Sequence, residues 1–151
     1  MNFIKNFLYK IYRLSWKITK PQTIGVRAIL TKENKILLVK HTYSNQWFLP
    51  GGGLKKGETL EQAITRELDE ELGVKLKNLH LFGAYHNFFE GKKDYIIVFK
   101  SDDFSLPNKT DSEIETYAFF DVNNLPEKTS VGTRKRISEF IENGSSHHGS
   151  W

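Results

Sequence analysis

Three glutamates, Glu67, Glu70 and Glu71, follow closely on a run of three glycines, Gly51, Gly52 and Gly53. Spaced i, i+3 and i+4, the carboxylates crowd one edge of a helix. Like charges that close repel and raise one another's pKa unless a cation sits among them, and the hard, oxygen-preferring ions Mg²⁺ and Mn²⁺ are the natural candidates. Glycines without Cβ atoms let a backbone approach a phosphate or offer a carbonyl to a metal. Together the two features point to a divalent metal acting on a phosphorylated substrate.

The element that must position these acids begins at Thr59. Thr59 with Gln62 forms a capping box, Leu60, Ile64, Leu68 and Leu72 recur at helical spacing, and Gly73 stops the helix. On the helical wheel Ile64, Leu68 and Leu72 make an apolar stripe, Gln62, Thr65, Arg66 and Asp69 a polar face, and the three glutamates lie between. Taken alone, an acidic helix face is usually just solvated, and a glycine run is equally unspecific.

The whole pattern is more specific. Gly52, Glu58, Arg66, Glu67, Leu68, Glu70, Glu71, Gly73 and Val74 match G-x5-E-x7-R-E-U-x-E-E-x-G-U, with U apolar, without a departure. This resembles the signature of the Nudix hydrolases. The resemblance implies an α/β fold, an α/β/α sandwich with a mixed central sheet, and hydrolysis of a diphosphate linkage. It implies Glu67, Glu70 and Glu71 as ligands of Mg²⁺, with Mn²⁺ as substitute, and a carbonyl of the Gly51–Gly52 turn completing the shell. Arg66 would orient a box glutamate and Glu58 support the loop-to-helix junction. Water attacks one phosphorus and a glutamate takes the proton, so the implied catalytic set is Glu67, Glu70, Arg66 and Glu113. Glu113 stands just before the last strand, where several Nudix enzymes carry a further ligand or base; Glu115 is its rival.

The rest of the chain reads as support. Thr23–Leu30 and Lys35–His41 are β-branched or alternating around the turn TKEN, a hairpin; 79–89 and 94–100 are two more strands, followed by a loop over 101–112, a strand over 116–121 and a final helix over 130–141. Arg27 in the first strand is placed to reach a substrate phosphate or else lies exposed. His41 and Tyr43 lead a polar loop toward Trp47, which either stacks on a base or packs in the core or rim. With Gly51 and Gly52 these four form the expected substrate-binding set. His86, mid-strand, reads as structural.

Length allows one domain with a real core. The chain has no cysteine, no evident secretory signal and no stretch long enough to span a membrane, and a cytoplasmic protein is expected. The formal charge of +4 is uneven: Lys5, Lys10, Arg13, Lys17 and Lys20 lie in residues 1–20 with no acid, leaving the remainder near −1. Nucleic acid is therefore not an expected partner. Residues 2–18 place Ile4, Phe7, Leu8, Ile11, Leu14 and Ile18 at helical spacing. This amphipathic helix must bury a face against its own domain, a partner subunit or an anionic membrane surface, and a helix-mediated homodimer is the expectation. The expected organisation is a helix over 1–20, a Nudix domain over 21–142 and a disordered tail over 143–151.

Substrate is less determined. Tyrosine and proline mark the diadenosine polyphosphate and ADP-ribose subfamilies, and the corresponding positions here are Gly91 and Glu90. The runs 23–28, 37–43 and 47–53 look like a bacterial Nudix group associated with nucleoside diphosphate sugars. Hydrolysis of a sugar nucleotide such as ADP-ribose or GDP-mannose to NMP and a sugar phosphate is the reading that follows. The alternatives are a nucleoside triphosphate or RNA 5′-end pyrophosphohydrolase and a nucleotide-sugar sensor without turnover.

Overall fold

A computed structural model describes residues 22–89, 92–142 and 147–151. The amphipathic stretch over 1–20, with the assembly expected of it, lies outside these residues. Strands β1 (Gln22–Lys32) and β2 (Lys35–His41) form the expected hairpin, with Thr31 opposite Ile36. They separate at once. β1 runs parallel to β6 (Lys92–Ser101) from Gln22 to Leu30, whereas β2 pairs antiparallel with β3 (Trp47–Phe48) on one side and β8 (Ile114–Asp121) on the other. β5 (His80–Phe89) joins the far side of β6 antiparallel, giving a mixed sheet.

Because successive strand residues face opposite ways, the splayed hairpin serves two cores. Val26, Ala28, Leu30, Leu37 and Val39 face helix α1 (Leu60–Leu72), burying Ala63, Ile64, Leu68 and Leu72. Ile29, Ile36 and Leu38 face the other way, with Phe82, Val98 and Ile137 of helix α2 (Val131–Ile141). The result is a helix, sheet, helix sandwich. Burial of each large aliphatic side chain on α1 contributes about 1.5–3 kcal/mol.

The caps fix where α1 starts and stops. Thr59 and Gln62 exchange both capping-box bonds, and Gly73, in the left-handed region at φ 66°, donates its N–H to Asp69. α2 begins at the Ser130 cap, whose hydroxyl accepts from the Thr133 N–H.

Two segments depart from expectation. The segment over 101–112, expected to be a loop, contains a short strand: β7 (Phe104–Ser105) pairs with β4 (Lys75–Leu76) and Phe104 enters the α1 core. The tail, expected to be disordered over 143–151, instead forms β9 (His147–Ser150), parallel to β5, over its described part. A small polar sequence hides this because the backbone ladder supplies the pairing, and the one large side chain, Trp151, packs against the α2 core. Among the described residues no helix is long and apolar enough to cross a membrane.

Candidate active site

The glycine turn is laid against β1 by backbone bonds. Val26 and Ala28 donate to the carbonyls of Gly52 and Pro50, and Leu54 donates to Ile24. At Gly51, φ is 133° and a Cβ would collide with the Val26 carbonyl, so only glycine allows this approach. A Cβ at Gly52 would strike the Glu67 carboxylate instead. The turn thus lies between β1 and the acidic edge of α1.

The three glutamates have different environments. Glu71 is 8% exposed, and its Oε2 accepts the Gly51 N–H at 2.9 Å. Burial pushes its carboxyl up to about 7, with the Gly51 bond and Arg27 opposing the rise and Glu67 and Asp111 adding to it. Glu67 Oε1 accepts from Arg66 Nη1 at 2.7 Å, and Glu70 Oε2 accepts from the same nitrogen at 3.0 Å. Lys55 sits 3.5 Å from the other Glu70 oxygen. Arg66 further holds Glu58, at 2.5 and 3.0 Å, and the Gly53 carbonyl. The Arg66 bonds, then the Lys55 N–H, hold the Glu58 carboxyl down at about 2.

Arg66 therefore relieves repulsion between Glu67 and Glu70, with Lys55 beside Glu70 and Arg27 beside Glu71 adding to it. The last turn of α1 has no basic residue, and the negative end of the helix dipole adds to the acids' cost. Among the described residues no three acidic, histidine or cysteine side chains converge closely enough to hold a metal ion in this arrangement. The reason is geometric: Glu67 and Glu70 turn toward Arg66 while Glu71 turns beneath the turn to Gly51. The donor chemistry still fits a hard divalent ion, because a mostly buried carboxyl with a raised pKa lies beside two further carboxylates within one helical turn. Of the turn's carbonyls, that of Gly52 is already engaged by the Val26 N–H and, at 3.2 Å, by Arg27.

Arg27 is brought into the site rather than left exposed. Its guanidinium bonds the Val26 and Gly52 carbonyls; burial lowers its pKa, while Glu71 and Glu67 raise it. His41 and Tyr43 stack with ring centroids 5.0 Å apart, near enough for Arg27 and Glu113 to act on both. Burial, then Arg27, lowers the His41 pKa against Glu113 and Asp111, favouring the neutral ring. Glu113 is exposed on the loop before β8, its N–H and that of Ile114 capped by Asp111. Glu115, the rival, pairs with Lys40 at 2.9 Å.

Trp47 does not join them. It packs edge-on against Phe120 at 4.8 Å, in the α2 core, because its neighbour in the strand, Phe48, takes the opposite face. Phe48 instead lines a cavity of about 210 Å³ with Arg27, Leu49, Ile96, Ser130 and Trp151. Asp111, Phe48 and Trp151 are the residues that sequence reasoning missed. Asp111 had a signal in the acidic run 111–115, but Trp151 had none.

Gly52→Ala tests the turn. A Cβ there meets the end of a side chain rather than backbone, so melting should shift little, while displacement of Glu67 should lower kcat/KM by about 10-fold or more. Thermal melting beside steady-state kinetics checks this; unchanged kinetics would remove Glu67 from the reacting centre.

A family model for the NUDIX domain matches residues 21–140. An ADP-ribose pyrophosphatase from Methanocaldococcus jannaschii is 36% identical over 144 residues, 92% of this chain and 85% of that protein. The NAD-capped RNA hydrolase NudC of Vibrio atlanticus is 36% identical over 114 residues, 74% of this chain but 41% of NudC. A solved MutT protein from Methanosarcina mazei superposes with a TM-score of 0.72 at 25% identity, over 82% of this chain and 95% of that one. The complete box, the sandwich that presents it and these matches agree: the chain belongs to the Nudix hydrolase family and is a Nudix pyrophosphohydrolase.

Proposed function

We propose that the protein hydrolyses the pyrophosphate bond of a nucleoside diphosphate sugar, with ADP-ribose the first candidate, giving AMP and ribose 5-phosphate. The observation that carries this is the junction at Arg27. One guanidinium touches the Gly52 carbonyl beside Glu67 and Glu71, and the same residue lines a cavity whose walls include aromatic and aliphatic side chains. A diphosphate fits the charged side and a nucleoside the other. The Methanocaldococcus jannaschii relative, named for ADP-ribose, supports the choice of sugar; Glu90 stands where the ADP-ribose subfamily has proline, so the choice rests on that likeness and not on the proline.

Each residue has a physical task. Arg27 neutralises a phosphate oxygen, and its guanidinium can hold two oxygens at once. Glu67, Glu70 and Glu71 would hold a divalent ion, Mg²⁺ or Mn²⁺, which when bound offsets charge on the diphosphate and acidifies water. Arg66 keeps Glu67 and Glu70 oriented. Glu113 or a box glutamate accepts the proton from the attacking water.

The test is product release from sugar nucleotides, dinucleotides, nucleoside triphosphates and 5′-capped RNA with Mg²⁺ or Mn²⁺, and EDTA as control. AMP and ribose 5-phosphate from ADP-ribose, abolished by EDTA, are expected. Pyrophosphate from a triphosphate, with sugar nucleotides untouched, would overturn the sugar reading and favour the nucleotide or RNA-end reaction.

A further inference from the structure

Strand β9 adds to the edge of the sheet by pairing with β5, from Gly83 opposite His147 to His86 opposite Ser150. The register carries on into Trp151, whose N–H donates to the His86 carbonyl at 2.9 Å. This delivers an indole to the side of the sheet where α2 begins.

The indole is held on several sides. It lies over Gly132, where any Cβ would collide with the ring, and stands edge-on to Tyr85 with centroids 5.9 Å apart. The Arg136 guanidinium sits 3.9 Å from the Tyr85 centroid and 5.4 Å from that of Trp151. Arg136, 2% exposed, is itself fixed by Glu139 at 2.9 Å and the Ser150 carbonyl at 3.2 Å. A ring braced this way loses little further freedom when a ligand meets it.

Trp151 and Arg27 line the same cavity, together with Phe48, Ile96 and, from the start of α2, Ser130 and Thr133. At about 210 Å³ it is smaller than the ~300–1,000 Å³ that takes a whole drug-sized ligand. It suits one part of a substrate. Aromatic and aliphatic walls favour a planar heteroaromatic group, and the cation at the Gly52 end favours the anionic group attached to it.

We propose that Trp151, supplied by the added strand β9, forms a wall of the nucleobase subsite, so that the base stacks beside Phe48 and Ile96 while the phosphates reach Arg27 and the glutamates. This rests on the reading of the substrate as a nucleoside diphosphate derivative. It goes further in making a segment outside the matched 21–140 domain part of substrate recognition.

The test is equilibrium binding of AMP and of ribose 5-phosphate to the full chain, in wild type, Trp151→Ala, Trp151→Leu and Trp151→Phe, with melting recorded for each. Ribose 5-phosphate has the phosphate and lacks the base. Stacking on an aromatic side chain predicts a loss of AMP affinity of about 10-fold or more in Trp151→Ala and Trp151→Leu, near-retention in Trp151→Phe, and unchanged ribose 5-phosphate binding. On a hydrolysed substrate KM should rise while kcat holds. Trp151→Leu keeps an apolar side chain against Gly132, so it decides the matter where Trp151→Ala fails to fold. Equal weakening of both ligands, no change in either, or tighter AMP binding on removal of the ring would overturn the proposal, the last showing an indole that blocks the cleft. The AMP arm does not depend on which nucleotide is cleaved: a wild type that binds AMP through Trp151 but leaves ADP-ribose intact would sink the sugar reading alone.

Discussion

Glu71→Gln is expected to lower kcat by about 10²-fold or more, the scale seen when one preorganised group that stabilises transition-state charge is removed. The same substitution should change how stability depends on pH. The folded carboxyl is pushed up to about 7, mainly by burial, from an ordinary value of 4.5. Between those values the folded chain keeps a proton that the unfolded chain has released. Stability is therefore full below about pH 4.5, falls as pH rises through 7 and levels off above it, by about 3 kcal/mol in all. Urea unfolding in EDTA at pH 5 and pH 8 measures this, and the fall should disappear in Glu71→Gln, where the lowered His41 pKa acts in the opposite direction. Adding Mg²⁺ at pH 8 should restore stability to the wild type more than to the variant. A wild type equally stable at both pH values would mean that Glu71 ionises without cost and is not the buried acid of the site.

Arg66→Lys should be nearly as damaging, although the charge is kept. Arg66 contacts four groups at once, Glu58, Glu67, Glu70 and the Gly53 carbonyl, through the planar fork of its guanidinium. A lysine ammonium is a point charge and cannot hold that arrangement. Because each of Glu67 and Glu70 gives one oxygen to Arg66, the arginine fixes where the other oxygen points. A fall of about 10–100-fold in activity or in affinity for Mg²⁺ is expected, the range for groups that orient metal ligands. The distinguishing readout is the Mg²⁺ dependence: activity partly recovered at high Mg²⁺ marks a residue that positions ligands, while an unchanged Mg²⁺ requirement would assign Arg66 to packing alone.

Local signals made α1 legible. Its apolar period, the Thr59–Gln62 box and Gly73 all act within a few residues of where they are written, so the sequence places the helix and the carboxylates on its edge. The hairpin and the start of α2 are legible for the same reason: turn chemistry, β-branched runs and a serine cap are short-range. What depends on partners far along the chain was not legible. Burial of Glu71 rather than Glu67 or Glu70 follows from Gly51, 20 residues earlier, donating to its carboxylate. The choice of Phe48 over Trp47 for the cleft depends on which face of β3 meets Phe120. Trp151 enters the site only because an edge of β5 is open to a strand whose composition has no β signal, and backbone pairing carries no side-chain signature. The sequence by itself determined the catalytic helix and the family it belongs to; the tertiary structure decided which acid is buried, which arginine meets the turn and which rings wall the cleft, because those depend on contacts between segments that no local pattern encodes.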